Sequence, residues 1–268
     1  MKIGLIGNVK KIGDASVIEN LVLSLRECGH FVTMLSAYHE INGVDLVIVL
    51  GGDGAILHAA TVAAPQGIAL MGVNYGHLGF LTELEKEEIN NVVDIVTAYE
   101  NGKCKILNRS LLQVEVDGET YYALNEVATQ RDYASSLAEN PQILKLLFSA
   151  QNGMVPISGD GALLTTPTGS TAYSLSAGGA IIAPEVPVVM LTPICAFSMS
   201  ARPMVFSDLE TFGFSIKKGR ALLLVDGKAV ATLSSGDEVK VSKAPFCAKF
   251  PTRNEKNFFN KIRNKLNG

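Results

Sequence analysis

Apolar positions in the first hundred residues follow two alternating patterns. Continuous apolar runs occupy residues 2–8 (KIGLIGN), 31–35 (FVTML), 44–50 (VDLVIVL) and 67–74 (GIALMGVN). Runs of that length predict strands buried on both faces. Between the first two runs, Ile18, Leu21, Val22, Leu25 and Cys28 fall at helical spacing, with Asp14 placed to cap the start and Gly29 to end the helix. Helical spacing returns after Gly54 and again at Ile89, Val92, Val93 and Val96, ahead of Gly102. Strands alternating with helices predict a mostly parallel sheet covered on both sides.

Near residue 103 the pattern changes to short β-rich runs. LLQVEV and ETYYAL flank Asp117-Gly118, the pair favoured in a two-residue hairpin turn, and LLLVDGKAVATL with SSGDEVKV repeats the arrangement at 222–241. Between Pro156 and Ala244 no helix of convincing period is present except a short one after Thr171. The expected organisation is an α/β domain over 1–100, a β-rich domain over 101–245, and a C-terminal segment over 246–268. In that last segment Phe258, Phe259, Ile262 and Leu266 share one helical face. The helix, Asn254 to Leu266, is expected to return to the N-terminal domain with its lysines and arginines merely solvated, a helix lying on a membrane surface being the alternative.

Composition narrows the class. The 268 residues are 47% hydrophobic, enough for a sizeable core, and carry a net charge of −3 with a pI near 5.9. No basic stripe marks a nucleic-acid partner. No apolar stretch approaches a membrane span, and the start MKIGLIGNVKKIGD lacks a secretory h-region, so a cytoplasmic protein without membrane partners is expected. The four cysteines lie far apart, and the four histidines form no H-E-x-x-H pattern, so no residues are assigned to a protein-held metal.

Three blocks carry chemistry. Gly51-Gly52-Asp53-Gly54 breaks the third apolar run. It is neither a Walker loop nor a G-x-G-x-x-G fingerprint, yet its glycines allow close approach of a phosphate chain at a helix N-terminus. Asp53 then has three roles open to it: accepting a proton from a hydroxyl nucleophile, holding Mg²⁺, or capping the helix. The second block, Asn125-Glu126, joins a donor–acceptor amide to a carboxylate and suits nucleoside hydroxyls. The third runs from Gly159-Asp160-Gly161 through TTPTGSTAYSLSAGG at 165–179 and supplies hydroxyl and backbone donors plus an aromatic face at Tyr173.

Together these blocks resemble the NAD kinase family. The resemblance rests on GGDG at 51–54, on Gly72-Val73-Asn74-Tyr75-Gly76-His77-Leu78-Gly79-Phe80-Leu81, on the Asn125-Glu126 pair, on the 159–179 run, and on LTP…ARP from 191. It spans roughly residues 45 to 240. GGDG alone is shared with lipid kinases and phosphofructokinases; the TPTGSTAYSLSAGG run is far more specific. The resemblance implies a Rossmann-like α/β N-terminal domain, a C-terminal all-β sandwich and a homodimer or homotetramer. It further implies transfer of the γ-phosphoryl group of ATP, or of polyphosphate, to the 2′-hydroxyl of the adenosine ribose of NAD, making NADP. Mg²⁺ or another divalent metal is expected to arrive with ATP. By the same resemblance Asp53 is the catalytic residue. The nucleotide-binding set is Gly54, His58, Asn74, Phe80, Asn125, Glu126, Asp160, Thr171, Ala172, Tyr173, Ser174 and Ser176. Lys228 joins that set as a phosphate contact, with a solvated hairpin lysine as the alternative. The chain departs from the family pattern at Ala55, at Pro193-Ile194-Cys195-Ala196-Phe197 and at Asp226-Gly227-Lys228.

Overall fold

The structure is a computed structural model that describes residues 1–7, 12–76, 79–134, 143–199, 201–252 and 258–266. The chain divides into two units, Met1–Arg109 with Phe246–Gly268, and Ser110–Pro245.

In the first unit the apolar runs form β1 (Lys2–Gly7), β2 (Phe31–Leu35), β3 (Leu46–Leu50) and β4 (Ala69–Asn74), with the two-residue β5 (Leu84–Glu85) beside β4. They pair in parallel in the order β2-β1-β3-β4-β5. β3 and β4 are buried at every position, as continuous apolar runs require when helices cover both faces. The helices are α1 (Ala15–Glu27), α2 (Asp53–Ala63) and α3 (Val92–Glu100). Asp14 caps α1 by accepting from Ser16 N–H at 2.9 Å, and Gly29 ends it in a left-handed conformation, φ 85°. Ile18, Leu21 and Leu25 of α1 and Val92, Ile95 and Val96 of α3 join Leu5, Ile48 and Met71 in one core.

Ile89 lies outside the α-helix expected around it. Lys86–Asn91 is a 3₁₀ turn whose start is fixed by Glu85 and Glu88, Glu85 N–H donating to the Glu88 carboxylate at 3.0 Å. This reciprocal box satisfies the first turn locally, and α3 begins only at Val92.

The second unit contributes β6 (Lys105–Val116), β7 (Glu119–Ala123), β8 (Glu126–Arg131), β9 (Leu144–Ala150), β10 (Gly153–Gly159) and β11 (Gly161–Thr165). After these come the short helix α4 (Tyr173–Ser176), then β12 (Val188–Ile194), β13 (Met204–Ser207), β14 (Phe212–Lys218), β15 (Ala221–Val225), β16 (Lys228–Leu233) and β17 (Glu238–Thr252). β6 and β17 each cross the unit boundary along the chain. One antiparallel sheet has the order β13-β12-β11-β8-β15-β16; the other includes β10-β9-β14-β17 and the β6–β7 hairpin. Phe148, Phe212 and Phe214 of the second sheet pack with Leu164, Leu191 and Leu223 of the first in one core, the packing of a β-sandwich. Asp117-Gly118 and Asp226-Gly227 both turn with positive φ, at 51° and 79° and at 46° and 78° respectively, as the two-residue turn demands. The SSGD stretch is not a third hairpin: it carries the chain from β16 to β17 in the opposite sheet.

The C-terminal helix is α5 (Phe258–Leu266), within the first unit; residues 254–257 of the expected helix lie outside the described residues. Phe259 is 72% exposed, against the expectation that it shares the buried face. Adjacent residues on a helix point about 100° apart, so Phe258 and Phe259 cannot both face one narrow contact.

Candidate functional site

In the first unit, the carboxyl ends of β1 and β3 and the start of α2 line a cleft of about 880 Å³ that includes Gly7, Leu50, Gly51, Gly52, Gly54 and Ala55. Crevices at this end of parallel strands are where α/β sheets bind ligands. Tyr38, His58 and Tyr75 add aromatic rings, His58 standing edge-on to Tyr38 with centroids 5.4 Å apart. Gly54 and His58 are exposed.

Asp53 does not cap α2. The capping position is Gly52, which has no side chain to offer, and Asp53 is the first helical residue. Its carboxylate is directed instead at a distant loop, Oδ2 accepting from Phe80 N–H at 2.8 Å and Oδ1 from Leu81 N–H at 3.0 Å. Those two amides take two of the roughly four acceptor positions of a carboxylate and fix its plane. Gly79 makes the approach possible, because a Cβ there would lie 2.4 Å from Asp53 Oδ1. Asn74, buried at the end of β4, donates to Glu85 Oε2 at 2.8 Å and accepts from Gly76 N–H at 3.0 Å, so its amide holds the turn that follows. Phe80 is half-buried; His77 and Leu78 of the same block lie outside the described residues.

Lys261 of α5 is not merely solvated. Half-buried, it donates from Nζ to the carbonyl oxygens of Phe80 and Thr82, both at 3.1 Å.

In the second unit, Asn125 and Glu126 stand at the start of β8, and the side chain that holds them is Asp226. Its carboxylate accepts the backbone N–H groups of Leu124, Asn125 and Glu126 at 2.8, 2.8 and 3.1 Å. The hydroxyl-rich loop locks onto the same segment: Thr166 Oγ1 donates to Leu124 C=O at 2.6 Å, and a Cβ on Gly169 would fall 2.3 Å from the Asn125 carbonyl oxygen. Glu126 is 7% exposed, and its Oε2 has no hydrogen-bond partner among the described residues. Burial first and the charge of Asp226 second push its carboxyl up to about 7, against the opposing hydrogen bond from Tyr173 N–H. Near neutral pH this group is divided between donor and acceptor forms.

Asp160 pairs with Arg131 at 3.5 Å, and the Arg131 guanidinium lies 4.8 Å from the centre of the Tyr133 ring. Thr171, Ala172 and Tyr173 are half-buried, and Ser176 is exposed. Burial raises the Tyr173 phenol above its usual range. Ser174 is fully buried and bonded to Thr192 Oγ1 at 2.9 Å, a tie between α4 and β12. Lys228 is exposed where β16 begins.

Each unit therefore gathers its own share of the expected residues: Asp53, Gly54, His58, Asn74 and Phe80 in the first, the remainder in the second. Sequence reading missed Asp226 and Lys261. For Asp226 the only local signal was the Asp-Gly turn, and Lys261 had none, because their partners are 102 and 181 residues away.

Comparison with known proteins gives two family matches, the ATP-NAD kinase N-terminal domain over residues 31–102 and the ATP-NAD kinase C-terminal domain over 124–252. Among curated relatives, NAD kinase 2 of Synechocystis sp. is 35% identical over 99% of this chain and 94% of its own. NAD kinase of Carboxydothermus hydrogenoformans is 35% identical over 93% of this chain and 89% of its own. Two solved structures share the fold. The yeast NADH kinase complexed with NADH has a TM-score of 0.84 at 22% identity, covering 100% of this chain and 87% of that one. An NAD kinase from Archaeoglobus fulgidus in complex with ATP has a TM-score of 0.80 at 23% identity, covering 98% and 99%.

Proposed function

Since the chain belongs to the NAD kinase family, we propose that Asp53 is the base of its phosphoryl transfer and that Asn125 and Glu126 bind the nucleoside hydroxyls of NAD. The enzyme phosphorylates NAD to NADP. ATP is the phosphoryl donor in this reading, with polyphosphate as an alternative. The Asp53 carboxylate accepts the proton of the 2′-hydroxyl as that oxygen attacks the γ-phosphorus; the bond from the γ-phosphorus to the bridging β,γ-oxygen breaks, and ADP leaves. One observation carries the assignment: a carboxylate at the N-terminus of α2, beside the glycine cleft, is aimed by two backbone amides rather than spent on capping. A group held in one plane by hydrogen bonds is pre-organised for proton transfer.

The remaining nucleotide contacts belong to the same proposal: Gly54 and His58 beside a base, Asn74 and Phe80 behind the loop, Asp160 and residues 171–176 around the adenosine, and Lys228 toward phosphate. Among the described residues no group of three or more His, Cys, Asp or Glu side chains gathers as a metal cage. A divalent ion that travels with ATP keeps phosphate and water ligands and needs only one or two carboxylates. Held by the phosphates of ATP, the ion would supply neutralisation of their charge and leave the Asp53 carboxylate as the base. No described helix is long and apolar enough to cross a membrane. Cytoplasmic location is part of the proposal, supported by four unbridged cysteines. So is a homodimer or homotetramer, supported by the exposed apolar side chains Phe197, Met199 and Leu209.

The test is incubation of the purified protein with NAD, Mg²⁺ and either ATP or polyphosphate, with the product read by ³¹P NMR. A 2′-phosphomonoester appearing with ADP in the ATP reaction is expected. Consumption of ATP without that resonance would overturn the reading.

A further inference from the structure

We propose that Lys261, on the C-terminal helix, is a positioning residue for the Asp53 carboxylate and acts through the backbone at Phe80–Thr82. The inference rests on the reading of Asp53 as the base.

The connection is continuous, and every link lies within the first unit. Lys261 Nζ donates to Phe80 C=O and to Thr82 C=O. The Phe80 carbonyl and the Leu81 N–H belong to the same peptide plane, and that N–H donates to Asp53 Oδ1 at 3.0 Å. An ammonium group on one end of a peptide unit polarises it, so the N–H at the other end becomes a stronger donor. The second carbonyl matters as much: by gripping residues 80 and 82 together, Lys261 fixes the direction of the Phe80 and Leu81 amides. Those amides set the plane of the carboxylate. Gly79 leaves no side chain to do this from within the loop, since a Cβ there would collide with Asp53. The helix carries a stem long enough to reach the loop and a charge to hold it, and half-burial removes much of the competing water.

A residue that aims a base is needed for the chemical step more than for substrate binding. Lys261→Met keeps most of the stem and removes the donor. It should lower kcat roughly tenfold to a hundredfold, the scale of a small misplacement of a catalytic group, while the KM values for NAD and ATP stay within about twofold. Lys261→Arg, whose fork can bridge two carbonyls, should restore most of kcat. In an Asp53→Asn background, Lys261→Met should have little further effect, because the two side chains act on one step. Thermal unfolding by circular dichroism reports whether each variant is folded; if Lys261→Met is not, Lys261→Gln enters the same cycle with the same thresholds.

A kcat for Lys261→Met within about twofold of wild type, a rise in KM with kcat unchanged, or an undiminished effect in the Asp53→Asn background would overturn the proposal while leaving Asp53 in place. Wild-type turnover in Asp53→Asn alone would instead remove the base assignment, and the Lys261 proposal with it.

Discussion

Asp226 offers a quantitative test of how the second unit holds Asn125 and Glu126. In Asp226→Asn the side chain keeps its shape and tolerates the left-handed φ of 46°. One oxygen is retained, able to accept from Asn125 and Glu126 as Oδ1 does now, and the other becomes an NH₂ that faces the Leu124 N–H. A stranded amide costs about 1–3 kcal/mol, and replacing a charged acceptor by a neutral one costs about 1 kcal/mol for each of the other two bonds. The total is about 3–5 kcal/mol. An opposing effect has a definite pH dependence. The negative charge of Asp226 is part of what pushes Glu126 up to about 7, so the wild type carries that repulsion only where Glu126 is ionised. Removing it returns part of the cost at pH 8 and none at pH 5.5, and the variant should be more damaged at the lower pH. The chain has no tryptophan, so the assay is urea unfolding followed by far-UV circular dichroism at both pH values. Destabilisation below about 0.5 kcal/mol at pH 5.5, the range of an ordinary surface change, would mean that the Asp226 carboxylate does not hold these amides. An equal effect at both pH values would refute its electrostatic role.

Two further outcomes follow from the same geometry. Glu126 favours its protonated form in the fold, so the stability it contributes is complete below its ordinary 4.5, declines as pH rises, and is gone above about 7; the difference is about 3 kcal/mol. Glu126→Gln should flatten that decline, and unfolding profiles that stay parallel between pH 4.5 and 8 would contradict it. Gly79→Ala places a methyl group 2.4 Å from Asp53 Oδ1 and 2.9 Å from Thr82 Oγ1, so kcat should fall by roughly a hundredfold with the KM for NAD little changed; unaltered steady-state kinetics would mean that the carboxylate is not held as described.

Much of the fold is legible because its causes are local. β3 and β4 are continuous apolar runs, α1 carries its Asp14 cap and Gly29 stop, and both Asp-Gly pairs turn where their backbone freedom places them. The site is legible in its parts list and less so in its geometry. The motif singles out Asp53, but where its carboxylate points depends on amides 27 and 28 residues ahead. Asn74 and Ser174 belong to the motifs, yet their side chains are engaged within the protein, with Glu85 and Gly76 and with Thr192. Lys261 sits in a basic, amphipathic tail that reads as a solvated face; only the folded first unit brings its Nζ to the Phe80 and Thr82 carbonyls. Hydrophobic periodicity reports which face is buried, and it carries no information about which polar atom a buried backbone group will find.

The most direct test of Asp53 as the base is the initial rate of NADP formation from NAD, ATP and Mg²⁺ by wild type and Asp53→Asn, each confirmed folded by circular dichroism. A base at this position predicts a wild-type rate that saturates in both substrates and a fall of roughly 10²–10⁴ in kcat for the variant. A variant that turns over within about twofold of wild type would contradict the assignment of Asp53 as the base.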